Sequence, residues 1–146
     1  MRLVYLVDNS VIQRVHRSRA VADALLSLLN TGDLAGCLPQ ALEEGYSARN
    51  LAEWEEINDS ALRAKVFLAP NPEIAEITRQ MQRALFAAGQ GRAVGVSDLQ
   101  IAATAVAYSN ARQSVVVVHY DADFETLAAL YPTLSTQWIV PRGTVD

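Results

Sequence analysis

The run Val115-Val116-Val117-Val118 constrains the fold more than any other stretch of the chain. Four consecutive β-branched residues have no polar face to turn toward water, so they predict a strand covered on both sides, as at the centre of a parallel sheet. This strand ends at His119-Tyr120-Asp121. A second apolar run, Leu3-Val4-Tyr5-Leu6-Val7, ends in the same way at Asp8-Asn9-Ser10. Each strand therefore delivers an acid to its carboxyl end.

Helical periodicity fills the space between the strands. Val11, Val15, Ala22, Leu25, Leu26 and Leu29 recur at helical spacing and predict a helix after the first strand. Turn chemistry at Asn30-Thr31-Gly32-Asp33 precedes a second strand over residues 34–38, and Pro39 suits the first turn of a helix carrying Glu43 and Glu44. Trp54, Ile57, Ala61, Leu62 and Val66 form one stripe, and Ile74, Ile77, Met81, Leu85 and Ala88 form another. Ala69-Pro70-Asn71-Pro72 breaks the pattern between them, which predicts a protruding helical hairpin. Ser97 and Gln100 have capping-box spacing, placing Asp98 at the first position of a helix through Ile101, Ala102, Ala105 and Val106. A short helix near residues 123–130 and a last strand near 138–140 complete the pattern. Strands alternating with helices predict one α/β domain over residues 1–146, an α/β/α sandwich around a central parallel sheet.

Composition agrees and narrows the chemistry. With 51% hydrophobic and 19% charged residues, 146 positions suffice for one substantial core. The apolar runs are too short to cross a bilayer, so the expectation is a soluble cytoplasmic protein with no membrane partner. One cysteine, Cys37, and two histidines, His16 and His119, exclude a disulfide within the chain and a thiolate or imidazole zinc cluster. Any metal must be held mainly by oxygen. The net charge of −4 counts mildly against a nonspecific nucleic-acid binder, but carboxylates around bound cations would account for part of it.

In an open parallel sheet, ligands bind beyond the carboxyl ends of the strands. Asp8 and Asp121 are placed there, Glu43 lies about one turn into its helix, and the N-terminal dipole of the Asp98 helix favours an ionised carboxylate. Crowded carboxylates raise one another's pKa unless a cation intervenes. Hard oxygen donors select Mg²⁺ or Mn²⁺, ions that clamp a phosphodiester and activate water for hydrolysis. Each acid also has a plainer reading. Asp8 and the Asp121-Ala122-Asp123-Phe124 segment are compatible with caps, Glu43 with a solvated helix residue, and Asp98 with an ordinary first-turn acid. The hydrolytic reading rests on the set.

Four segments, in order, carry a resemblance: Leu6-Val7-Asp8-Asn9-Ser10, then Ala41-Leu42-Glu43-Glu44-Gly45-Tyr46, then Val96-Ser97-Asp98-Leu99-Gln100-Ile101-Ala102, then His119-Tyr120-Asp121-Ala122-Asp123-Phe124. In these the chain resembles PIN-domain ribonucleases, and among them the VapC toxins of bacterial toxin–antitoxin pairs. The resemblance covers nearly the whole chain and implies a PIN-like fold and a Mg²⁺- or Mn²⁺-dependent endoribonuclease. It implies Asp8, Glu43, Asp98 and the Asp121/Asp123 pair as the acids of the site, with Asp121, Asp123 or both at the metal and Ser10 as a supporting hydroxyl. It further implies an RNA substrate, a cognate VapB-type antitoxin, and a homodimer or a toxin–antitoxin hetero-oligomer. The expected docking groove is the helical hairpin over residues 51–88, whose apolar stripe would need a partner.

Arg14 and Arg17, in the most basic stretch, are candidates for RNA phosphates, with a solvated helix face as the alternative. His119 is expected to make a structural hydrogen bond rather than serve as general base. Competing functions are a catalytically silent PIN-fold binding module and a DNA-directed nuclease of the same fold. A receiver-like domain is disfavoured, because the only lysine, Lys65, lies in the expected hairpin instead of a late loop.

Overall fold

The chain forms five parallel strands, the last at residues 135–138 instead of the expected 138–140. The computed structural model describes the backbone of residues 1–146 and the side chains of all but residues 60–64. In chain order the elements are β1 (Arg2–Val7), α1 (Asn9–Val15), α2 (Arg19–Leu28), β2 (Asp33–Cys37), α3 (Leu38–Tyr46), α4 (Leu51–Ala64), β3 (Val66–Leu68), α5 (Pro72–Ala87), α6 (Val96–Tyr108), β4 (Gln113–His119), α7 (Ala122–Leu130) and β5 (Ser135–Trp138). The sheet order is β3-β2-β1-β4-β5, and every pairing is parallel. Strand order reverses at β1, so the crevice between the ends of β1 and β4 is the topological switch point where such sheets bind ligands.

Side-chain alternation along the central strands divides the core into two layers. Val4 and Leu6 of β1 join Val115 and Val117 of β4 under α5, α6 and α7. Tyr5 and Val7 join Val118 on the other face, with Val11 of α1 and Val21 of α2. This double coverage is what the four-valine run predicts, and Val115, Val117 and Val118 are buried. Helix α6 is covered on most of its circumference, since Leu99, Ile101, Ala102, Ala103, Thr104 and Ala105 are all buried; its alanines let α5 pack closely along it. Phe124 of α7 is fully buried, and truncating such a ring costs about 3–5 kcal/mol.

The structure corrects several local expectations. The first helical segment is two helices, because Ser18 caps α2 through its hydroxyl to the Val21 N–H and ends the run begun at Asn9. Both helices of the expected hairpin, α4 and α5, are present, but edge strand β3 separates them. Val66 belongs to that strand, paired with Ala35 of β2, instead of to the helical stripe. Ala61 and Leu62 of the stripe lie outside the described side chains. The stripe on α5 is not open for docking: Ile74, Ile77, Met81 and Leu85 are buried in the core. Helix α6 starts at Val96 after Gly95, with no side-chain cap, so Ser97 and Gln100 do not form a capping box; Gln100 instead donates to the Val96 carbonyl.

Candidate metal centre

Asp8 follows β1 directly and is almost wholly buried, at 3% exposure. Its backbone N–H donates to the Val118 carbonyl at 2.9 Å, which pins it between β1 and β4. One carboxylate oxygen, Oδ2, accepts from the Ser10 N–H at 3.0 Å and caps α1. The other, Oδ1, is buried without a hydrogen-bond partner. A buried carboxylate oxygen left unpaired is costly, more so than a neutral group at about 1–3 kcal/mol. The cap is therefore made by one oxygen of Asp8, and the other is left without a partner inside the fold.

The other acids arrive from three further elements. Glu43 projects from α3, Asp98 from the first turn of α6, Asp121 caps α7, and Asp123 lies in the first turn of α7. Asp98, Asp121 and Asp123 each place a carboxylate oxygen within 4.8 Å of the others. The Asp121 carboxylate also accepts from the Asp123 N–H at 3.0 Å, which draws the two acids of this motif to the same place. Asp8 and Glu43 lie outside this tightest group, yet their charges act on it. Burial, then Asp8, Asp121, Glu43 and Asp123 in that order, push the Asp98 carboxyl up to about 7. Glu43 is raised by burial and by Asp8 and Asp121, opposed by a hydrogen bond from Ser97; Asp123 is raised by burial and by Asp121. All five acids thus share one electrostatic site.

Oxygen donors alone, one of them an unpartnered buried oxygen, suit a hard divalent cation at this place. Asp98 has the most to gain, since a cation would offset the four neighbouring charges. Cys37 lies against the cluster but is no alternative ligand or nucleophile. Burial pushes its thiol up to about 11, so it stays protonated at neutral pH.

The surrounding residues hold the loops in place. Ser10 accepts from the Tyr120 N–H through its hydroxyl at 2.9 Å, joining the segment after β1 to the one after β4. His119 is fully buried, and its Nε2 lies 2.8 Å from Glu125 Oε1, as expected for a structural histidine. Burial lowers its pKa, against the opposing effect of Glu125. Arg14 is committed in part to structure: it donates to the Ser10 carbonyl at 2.6 Å and to the Asp146 carbonyl at 2.7 Å, and lies over the Tyr120 ring. Arg17 is exposed beyond the end of α1. Glu44 turns away from the site, as its position beside Glu43 requires, and pairs with Lys65 at 3.0 Å. Sequence reasoning missed the placing of Ser97 in one cleft wall with Glu43 and the gathering of Trp138 and Arg142 near Asp121. Ser97 sits one residue before Asp98, and that adjacency was the available signal.

No family model matches the chain. Ribonuclease VapC51 of Mycobacterium tuberculosis H37Rv is 40% identical over 146 residues, covering the whole of both chains. Ribonuclease VapC21 of the same species is 33% identical over 140 residues, 96% of each chain. Among solved structures, a VapBC2 complex of Rickettsia felis bound to promoter DNA matches with a TM-score of 0.74 at 15% identity, covering 92% of this chain and 98% of the other. VapBC-1 of nontypeable Haemophilus influenzae matches at 0.73 and 18% identity, covering 93% and 98%. The structural matches carry the fold, and the full-length sequence matches carry the family: this chain belongs to the VapC family of PIN-domain ribonucleases.

Proposed function

We propose that the chain is a Mg²⁺- or Mn²⁺-dependent endoribonuclease toxin that hydrolyses RNA phosphodiester bonds. The observation that carries this reading is the convergence of five acids from distant parts of the sequence: three of them, Asp98, Asp121 and Asp123, have oxygens within 4.8 Å of one another, and burial together with the charges of the other acids pushes the Asp98 carboxyl up to about 7. Such a cluster is unstable without a counter-charge, and a phosphodiester offers none. A divalent ion, when bound, supplies positive charge for the phosphate and lowers the pKa of water to make it a nucleophile.

The residues have distinct parts in this proposal. Asp98, Asp121 and Asp123 hold the cation, and Asp8 turns Oδ1 toward it while Oδ2 keeps the start of α1 in position. Glu43, which shares a cleft wall with Ser97, orients water at the edge of the site. Ser10 and His119 keep the two strand-end loops in register.

A cleft of about 440 Å³ beside Glu43 is lined in part by Leu38, Leu42 and Tyr46, which recur along one face of α3 and are 42%, 63% and 92% exposed. Leu51 and Trp54 on α4 are also exposed. These apolar side chains support an antitoxin of the VapB type as partner, in a hetero-oligomer like the VapBC complexes with this fold. They replace the α5 stripe as the docking surface.

Purified protein with Mn²⁺ or Mg²⁺ is expected to cut a structured RNA internally, and Asp8→Asn and Asp98→Asn to abolish cutting while circular dichroism stays unchanged. Equal activity in these variants would defeat the reading. Preferential cutting of DNA would make the chain a DNA-directed nuclease, and metal binding with no cleavage of either would make it a silent binding module.

A further inference from the structure

A separate cleft of about 490 Å³ opens beside Asp121, with Arg14, Tyr120, Trp138, Arg142 and Gln13 in its walls. Its cations face aromatic rings. The guanidinium carbon of Arg14 lies 4.8 Å from the centroid of Tyr120, and that of Arg142 lies 5.9 Å from the centroid of Trp138. The two rings meet edge to face at 5.5 Å, and buried His119 packs against the indole at 4.8 Å, which holds Trp138 in place. Among the described residues Arg14 and Arg142 make no salt bridge, a state they share with Arg17, Arg79, Arg83, Arg92 and Arg112, but they line the cleft beside Asp121. In a chain of net charge −4, these two arginines lie beside Asp121, Arg14 with its Nε and Nη1 already donated to the Asp146 and Ser10 carbonyls and its Nη2 in no hydrogen bond among the described residues.

We propose that this cleft is the subsite for one unpaired nucleotide flanking the scissile phosphate, its base stacked on the Trp138–Arg142 surface and its phosphate engaged by Arg14 and Arg142. The proposal rests on the ribonuclease reading above. Single-stranded RNA is held in this way, by base stacking on aromatic or guanidinium planes and by cations on the backbone. An acidic peptide would use the arginines but would have no need of the aromatic pair, so the set favours a nucleotide. The subsite also requires local single-strandedness, because a base within a duplex exposes no face for stacking.

The test uses the full chain carrying Trp54→Phe and Asp98→Asn, so that Trp138 is the only indole and the strand is not cut. A short oligouridylate is expected to quench Trp138 fluorescence, while an abasic strand of equal length and charge binds about tenfold more weakly. Trp138→Ala should lower oligouridylate affinity about tenfold, and Trp138→Phe, which keeps a ring against His119, should restore most of it. Arg142 is exposed, so Arg142→Ala leaves the core intact; it should flatten the salt dependence of log affinity by about 0.7. Equal binding of the base-bearing and abasic strands, or an unquenched indole, overturns the subsite even if the unmodified protein cuts RNA. Quenching by an acidic peptide but not by RNA overturns it as well. Stacking on Trp138 with no cleavage of RNA by the metal-loaded parent upholds the subsite and overturns the hydrolytic reading instead.

Discussion

The Nδ1 atom of His119 accepts a hydrogen bond from the backbone N–H of Asp121 at 3.1 Å. Its Nε2 therefore carries the proton and donates to Glu125, which also accepts from the Thr136 hydroxyl. The imidazole fixes the backbone from which the Asp121 carboxylate projects, without touching the acid cluster itself.

Two isosteric replacements separate the functions of the ring. Asn at position 119 keeps an acceptor near the Nδ1 position, and Gln keeps a donor near Nε2. His119→Asn should hold Mn²⁺ affinity, measured by calorimetry, within about threefold of the parent, whereas His119→Gln should weaken it by about tenfold, the lower end for residues that orient metal ligands. Equal affinities in the two variants would show that the Asp121 contact positions nothing.

Asp98 makes the metal-free protein sensitive to pH. Its folded pKa of about 7 lies above the ordinary carboxyl value, so folding takes up a proton there. The stability associated with the protonated form is complete below about pH 4 and is lost as pH rises through about 7. Buried His119, whose pKa is lowered, acts in the opposite direction, losing stability as pH falls through the ordinary histidine range. Comparison of parent and Asp98→Asn isolates the carboxyl. In chemical denaturation without metal, the variant should be more stable by roughly 1 kcal/mol at pH 7.5, with the gap closing toward pH 4. A gap that does not change with pH would contradict the assigned coupling.

Divalent cations should stabilise the parent by mass action. At a free Mn²⁺ concentration of about 100 times Kd, the gain is about 2.7 kcal/mol, which corresponds to roughly 5–10 °C in Tm for a chain of this size. EDTA should reverse the shift, and Asp98→Asn should reduce it. A thermal-shift titration reads all three effects independently of cleavage.

Lys65 and Glu44 form a pair with side chains only 14% and 11% exposed. Gln40, itself buried, donates to the same Glu44 oxygen. Lys65→Met leaves a buried carboxylate without its cation and should cost about 3 kcal/mol. Adding Glu44→Gln should recover most of that loss. Urea denaturation of the two single variants and the double variant measures the coupling, and additive losses would show that the pair is not a unit.

Much of this architecture was legible because it rests on local rules. The valines of β4 and the apolar run of β1 could be nothing but covered strands, and the acids after them had to lie at strand ends. The stripe of α5 was legible as a helix for the same reason, though not as a buried one. Other elements gave no periodic signal. Three residues of β3 are too few to show alternation, and Val66 also completed a helical stripe in α4. The break at Ser18 and the start of α6 after Gly95 depend on how the chain enters the core, since a capping residue works only where the backbone turns.

By itself, the amino-acid order determined which side chains avoid water, hence a parallel sheet wrapped on both faces, and which acids terminate its strands, because period and polarity act over a few neighbouring residues. Only the tertiary structure decided that Asp98, Asp121 and Asp123 bring their oxygens together, that Asp8 caps α1 with one oxygen while the other is buried without a partner, and that Trp138 and Arg142 come to lie beside residues far earlier in the chain. Those outcomes are distances between remote segments, fixed by strand order and helix packing, and no local pattern encodes them.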